Sequence, residues 1–364
     1  MSNPLFYSIF TLLFTSVMQE NKPLLITRRN NMDLVRYYLA LSVLIAHFNY
    51  LTGFEIPWPT NSFTGVGGFF ALSGFLVFGS FLKKRSVKIY LERRARRILP
   101  PYFFIVLLCS IGLVTISDRS ILDYFQSSQW LKYTLANLSF LNFIEPCLPG
   151  VFSGNVTQAV NGSLWTMKTE WLLYLSVPIV FWCYTRFKWN KTFVFISIYL
   201  LSIAYRLTFL FLFQSTGQEI YNILSRQILG QLMFFYSGVL IYFYFDKFMK
   251  YRWHIFFIAF ILVGLREYIP FYSFTIGPII VASLVLFFSM VGKWGHFFSR
   301  IDNVSYDMYL FHFPVIQLAV HLGVCDYGPG VAFTVVLVTT VLLSILSWSC
   351  IGKRFMYKPK ISQQ

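Results

Sequence analysis

Apolar stretches of about twenty residues recur along almost the whole chain, separated by short polar or basic segments. At 1.5 Å per residue, about twenty such residues carry a helix across the hydrocarbon core of a bilayer. The pattern predicts spans at about 32–52, 63–82, 100–117, 165–185, 191–213, 226–246, 253–270, 273–291, 304–323 and 331–351. The expected fold class is therefore all-α, a polytopic membrane helical bundle of about ten transmembrane helices.

Composition agrees. The chain is 57% hydrophobic and 12% charged, with a mean hydropathy of +0.62, whereas soluble domains carry about 25% charged residues. The net charge of +16 would otherwise suggest a nucleic-acid partner. Most of the 30 Lys and Arg residues, however, fall in alternate inter-span segments, which the positive-inside rule places in the cytoplasm. Both termini are then cytoplasmic, in a membrane expected to be a bacterial inner membrane, with lipids rather than nucleic acid facing the basic loops.

Residues 1–31 read as a cytoplasmic leader. Its apolar part, Leu5 to Met18, is short for a span and lacks the basic flank and cleavage site of a signal peptide. Residues 32–352 form the transmembrane domain and 353–364 a basic cytoplasmic tail. The longest outer stretch, about 118–164, reads as loop, most clearly from Pro146 to Ser163. Cys147 and Cys325 both fall outside, where a disulfide can form, but spacing alone does not pair them.

Polar islands inside the apolar runs carry the candidate chemistry. In "RYYLALSVLIAHF", Arg36 and His47 stand eleven positions apart, on one helical stripe about 16 Å from end to end. Ionisable residues at membrane depth default to function. "GVGGFFALSGF" places Ser73 and Gly74 in span two, either for close helix packing or as a thin wall for a slender ligand. In "RRARRILPPY", Arg94 and Arg97 share a face, as a topology anchor or a phosphate site. Span four, with Ser163 as its expected N-cap, carries Glu170, Tyr174 and Pro178 on one stripe. Glu170 either pairs with Lys168 or, at the depth of His47, meets it across a cavity. "SYDMYLFHFPV" puts Ser305, Tyr309 and His312 on one face near the cytoplasmic end of span nine, where a lone histidine usually packs as core.

These segments together resemble the acyltransferase-3 family of integral membrane O-acyltransferases, to which bacterial polysaccharide O-acetylases belong. "MDLVRYYLALSVLIAH" resembles the family's opening helix and "FFALSG" its Phe-Phe-x-x-Ser-Gly motif. "RRARRILP" resembles its Arg-x-x-Arg, "LWTMKTEWLLYLSVP" its Glu-bearing helix and "SYDMYLFHFP" its Tyr-Leu-x-His-x-Pro segment. The order is that of the family, over about residues 32–352.

The resemblance implies transfer of an acyl group, most often acetyl, from cytoplasmic acetyl-CoA to a hydroxyl of a cell-surface glycan or its lipid-linked precursor. By position it implies His47 as the catalytic histidine, Arg36 as the helix-one arginine of the catalytic set, and Arg94 and Arg97 toward the donor; Glu170, at the depth of His47, joins the catalytic candidates, and Ser73 and Gly74 the donor-binding ones. Asp33, Tyr174, Tyr309 and His312 are further candidates. No bound cofactor or metal is expected. Lys168 and Phe311 depart from the family pattern, and no esterase-like domain follows the last span. Transfer is then expected to be completed by the membrane domain or by a separate partner. The rival reading is a transporter or flippase for lipid-linked sugars, for which polar stripes in a helical bundle are equally natural. A membrane scaffold would leave the aligned Arg36 and His47 unexplained.

Overall fold

A computed structural model describes residues 30–84, 86–292, 294–295 and 297–356. Most of the expected leader and tail therefore lie outside the described residues. Among the described residues the chain is helical and no strand forms; an isolated bridge joins Cys147 and Ala159. Five helices, starting at Met32, Ser62, Val87, Lys191 and Pro329, are long and apolar enough to cross a membrane. Three apolar helices are shorter: Leu232–Phe243, Arg252–Gly264 and Gly277–Met290.

The chain divides into two compact units. The first comprises Met1–Val35, Val66–Leu91 and Thr169–Arg300; the second comprises Arg36–Gly65, Glu92–Lys168 and Ile301–Gln364. Helices are named in chain order: α1 (Met32–Thr52), α2 (Ser62–Lys84), α3 (Val87–Gly112), α4 (Ile121–Gln126), α5 (Ser128–Leu138) and α6 (Trp165–Arg186). They continue as α7 (Lys191–Thr216), α8 (Glu219–Ser225), α9 (Leu232–Phe243), α10 (Phe245–Lys250) and α11 (Arg252–Gly264). The last are α12 (Gly277–Met290), α13 (Ser305–His321), α14 (Pro329–Ser347) and α15 (Lys353–Met356).

In the first unit, α2 meets α9 backbone to backbone. A Cβ built on Gly74 would stand 2.0 Å from the Phe235 carbonyl oxygen, and one on Gly238 only 1.9 Å from that of Ala71. Small residues permit this approach, which dispersion and packing reward in a membrane. Asn31 latches the entry to α1 onto the end of α12, donating to the Phe288 and Val291 carbonyls and accepting from Gly295 N–H. Faces left outside are greasy: Phe193, Leu200, Leu201 and Phe211 on α7 are more than half exposed, as are Phe257, Phe260 and Ile261 on α11. Apolar faces of this extent suit lipid rather than water.

In the second unit, α1, α13 and α14 share a core built on Leu44, Phe48, Ile316, Ala332 and Val336. The outer segment that reads as loop contains two helices, α4 and α5. Ser120 caps α4 by accepting from Asp123 N–H, and Ser127 accepts from Gln129 N–H at the head of α5. Buried Tyr124 Oη and half-buried Trp130 Nε1 both donate to the Ser110 carbonyl on α3.

Three expected boundaries change. α3 begins at Val87 rather than near 100, so the arginine cluster is helical and the helix runs on through Pro100 and Pro101. The expected span 226–246 is divided into a short 3₁₀ turn, α9 and the start of α10, and α8 ends just before it. Ser163 does not cap α6 with its side chain as expected: its hydroxyl donates to Asn161 Oδ1 at 2.6 Å.

Candidate active site

α1 is one uninterrupted helix, so Arg36 and His47 keep the shared stripe expected of them. His47 is half-buried, and its Nδ1 lies 2.8 Å from Nε2 of His312 on α13. The rings are nearly parallel, 20° apart with centroids separated by 5.0 Å. His312 is fully buried, and its second ring nitrogen, Nδ1, lies 3.2 Å from the Met308 carbonyl one turn back. Phe313 sets its edge against His47, and Tyr309 sets its edge against His312. His312 is thus neither isolated nor near the end of its helix. It stands mid-way along α13, level with His47, and counting residues from the expected cytoplasmic end misplaced it.

The segment between α5 and α6 is hydrogen-bonded to α13. Pro314 has no N–H, so the Leu310 carbonyl four residues earlier loses its helical donor. Asn161 Nδ2 supplies one at 2.9 Å, while Asn161 Oδ1 takes the backbone and side chain of Ser163. Further along, Gln317 is wholly buried. Its amide donates to the Thr157 and Ala159 carbonyls and accepts from Asn155. Thr166 Oγ1 lies 2.9 Å from Tyr309 Oη. Residues 155–166 are therefore strapped to the helix that carries His312.

The arginine cluster on α3 sorts into different duties. Arg96 pairs with Glu92 at 2.6 Å, and Arg93 is exposed. Arg94 and Arg97 are half-buried on a common face. Arg97 lies close enough to Asp307 for their charges to interact, and Asp307 Oδ1 accepts from Ser347 at 2.6 Å. Asp307 is 1% exposed. The sequence reading missed it, although an acidic residue inside "SYDMYLFHF" was itself the signal.

The first unit holds the other predicted group. Glu170 Oε1 accepts a short hydrogen bond from Tyr174 and a longer one from Ser73 at 3.5 Å. Pro178 frees the Tyr174 carbonyl just as Pro314 frees that of Leu310, and Tyr90 Oη takes it at 2.9 Å. Lys168, the alternative partner considered for Glu170, belongs to the second unit, where its ammonium lies over the Phe143 ring. Gly74 packs closely: the direction a side chain would take from it is closed by the Phe235 backbone. Asp33 occupies the first turn of α1, favourable for an acid at a helix N-terminus. Cys147 and Cys325 are free thiols.

Comparison with known proteins gives the chemistry a family. Residues 29–349 match the family model described as an acyltransferase domain. The chain belongs to the acyltransferase-3 family. It is thus an integral membrane enzyme, an O-acyltransferase. This acyltransferase is similar to an O-acetyl transferase of Shigella phage Sf6, 24% identical over 359 residues covering 92% of this chain and 99% of that one. It is also similar to nodulation protein 10 of Rhizobium leguminosarum bv. viciae, 25% identical over 353 residues covering 90% of this chain and 93% of that one. No solved structure matches it.

Proposed function

We propose that this acyltransferase moves an acetyl group from cytoplasmic acetyl-CoA to a hydroxyl of a cell-surface glycan or its lipid-linked precursor. The observation that carries the reading is His47, a titratable ring held inside an acyltransferase fold by a second histidine. An unactivated hydroxyl needs a general base that titrates near working pH, and histidine is the side chain suited to it. Acetyl as the transferred group is supported by the name of the phage relative.

Each unit contributes polar groups to this scheme. In the second, His47 takes the hydroxyl proton, and Arg94 and Arg97 hold the phosphates of CoA with their planar, forked donors. Arg36, about three turns before His47 on α1, contacts the donor from the same stripe. In the first unit, the Glu170–Tyr174–Ser73 cluster supplies hydrogen bonds to substrate, because a carboxylate and two hydroxyls match the demands of a polyol. The basic loops orient the chain with both termini in the cytoplasm of a bacterial inner membrane.

Mass spectrometry of surface glycans from a deletion strain tests the activity. Loss of one acetyl increment, restored by the wild-type gene, is expected. An unchanged acetyl pattern with altered glycan export would instead indicate a transporter.

A further inference from the structure

The His47–His312 contact holds more information than proximity. A carbonyl oxygen carries no proton, so the Met308 carbonyl can only accept from His312 Nδ1. A neutral imidazole has a single N–H, which places a bare lone pair on His312 Nε2. The 2.8 Å bond from that atom to His47 Nδ1 then requires its proton to come from His47. The reverse assignment would set two lone pairs against each other at 3.2 Å between His312 Nδ1 and Met308 O.

From this chain of bonds we propose that His312 is a positioning residue that locks His47 in the Nδ1–H tautomer, leaving Nε2 as the atom that receives the acceptor's proton. The inference rests on His47 being the base. Which nitrogen of a histidine carries the proton is set by the bond made at the other, and here that bond is supplied by a ring with no exposed surface. Tyr309 and Phe313 press on the pair edge-on, so neither ring can turn without displacing an aromatic neighbour.

The step then balances. The acceptor oxygen attacks the thioester carbonyl carbon while its proton passes to His47 Nε2, and a C–O bond forms. The tetrahedral intermediate collapses with rupture of the C–S bond, and the proton on Nε2 moves to the departing sulfur. Hydroxyl and thioester become ester and thiol, and His47 returns to its starting tautomer with Nδ1–H never released. While His47 is cationic, its bond to His312 Nε2 becomes charge-assisted and shorter, which stabilises the ion where it forms. In this scheme His312 need not touch substrate.

Nitrogen-15 NMR of histidine-labelled full-length protein in lipid nanodiscs reads the tautomer directly, with the His47 signals assigned from a His47→Gln sample. The expected wild-type result is a protonated Nδ1 and a bare Nε2 at His47. A proton on Nε2 of neutral His47 overturns the proposal. In cells at matched protein level, His312→Leu should lower glycan acetyl content at least tenfold; a wrong-tautomer histidine in a Ser-His-Asp triad loses about 10⁴ in kcat. His312→Gln, whose amide oxygen can still accept from Nδ1–H, should keep the tautomer and recover most of that loss. Normal acetylation with His312→Leu also overturns the proposal. Should that variant fail to accumulate, the wild-type spectrum and His312→Gln decide the matter alone. The spectrum does not depend on turnover, so it separates failure here from failure of the acetyl-transfer reading, which His47→Ala tests.

Discussion

Asn161 and Pro314 should be energetically coupled, because one repairs what the other breaks. Pro314 strips the Leu310 carbonyl of its helical donor, and Asn161 Nδ2 replaces that donor at 2.9 Å in a site where Asn161 is 8% exposed. Asn161→Ala strands the carbonyl together with the Ser163 N–H, while the Ser163 hydroxyl keeps the Tyr309 carbonyl at 3.3 Å as an acceptor. Hydrogen bonds measured inside membrane proteins average about 0.6 kcal/mol and reach about 1.7. The Leu310 carbonyl has lost its usual partner, so its share should lie toward the upper end, about 1.4 kcal/mol or a tenfold change in an equilibrium constant. Pro314→Ala restores a helical N–H to Leu310 and should erase that share alone, leaving the cost of the altered Ser163 contacts. The assay is reversible unfolding of the four members of a double-mutant cycle in detergent micelles. An interaction energy within error of zero would refute the argument, since it would mean that Asn161 does not substitute for the missing helix bond.

Other outcomes follow from the same geometry. His47→Ala should lower glycan acetylation by roughly 10²–10⁴, the usual loss of a general base, with membrane insertion intact. Arg94→Ala with Arg97→Ala should weaken acetyl-CoA binding measured by equilibrium dialysis, and a Lys pair should restore it only in part; unchanged affinity would leave the cluster as a topology anchor. Gly238→Ala should prevent stable accumulation, because its Cβ would collide with backbone at Ala71 rather than with a side chain able to move. Burial pushes the Cys147 and Cys325 thiols up, with Glu145 and Asp326 respectively adding to the shift. Fewer thiolates are therefore present at neutral pH than for an ordinary cysteine, and alkylation should be slow there and accelerate as pH rises. Unreduced protein should still take a label at both positions by peptide mass, and a linked Cys147–Cys325 peptide would contradict the free-thiol structure.

Long apolar runs were legible because a bilayer imposes length and composition on whatever crosses it; α1, α2 and α7 begin within a residue of where hydropathy put them. The breaks were not legible. Nothing in the greasiness of 226–246 distinguishes one helix from a 3₁₀ turn, α9 and α10 in succession, since lipid-facing and protein-facing apolar residues look alike in sequence. α4 and α5 went unseen because each is only two or three turns long, although the Ser120–Asp123 capping pair was readable. His47, Arg36 and Glu170 announced themselves as polar groups in apolar surroundings. Their partners did not: the pairing of His47 with His312 joins residues 265 positions apart, and the Leu310 carbonyl freed by Pro314, with its Asn161 repair, lies beyond any local pattern.

The strap from Asn155 to Thr166 sets where this enzyme can be recombined with its relatives. Five of its residues are stitched to α13 through Gln317, Leu310 and Tyr309, on both sides of His312 in sequence. A graft that carries the outer segment across as one cassette, from α4 through to α6, tears those stitches and alters the histidine pair even if every catalytic residue is retained. A chimera joined just before Asn155 exchanges α4, α5 and the turns after them while leaving the stitched part with its own helix. The permissive joint for such a chimera lies inside the segment between α5 and α6, not at its ends.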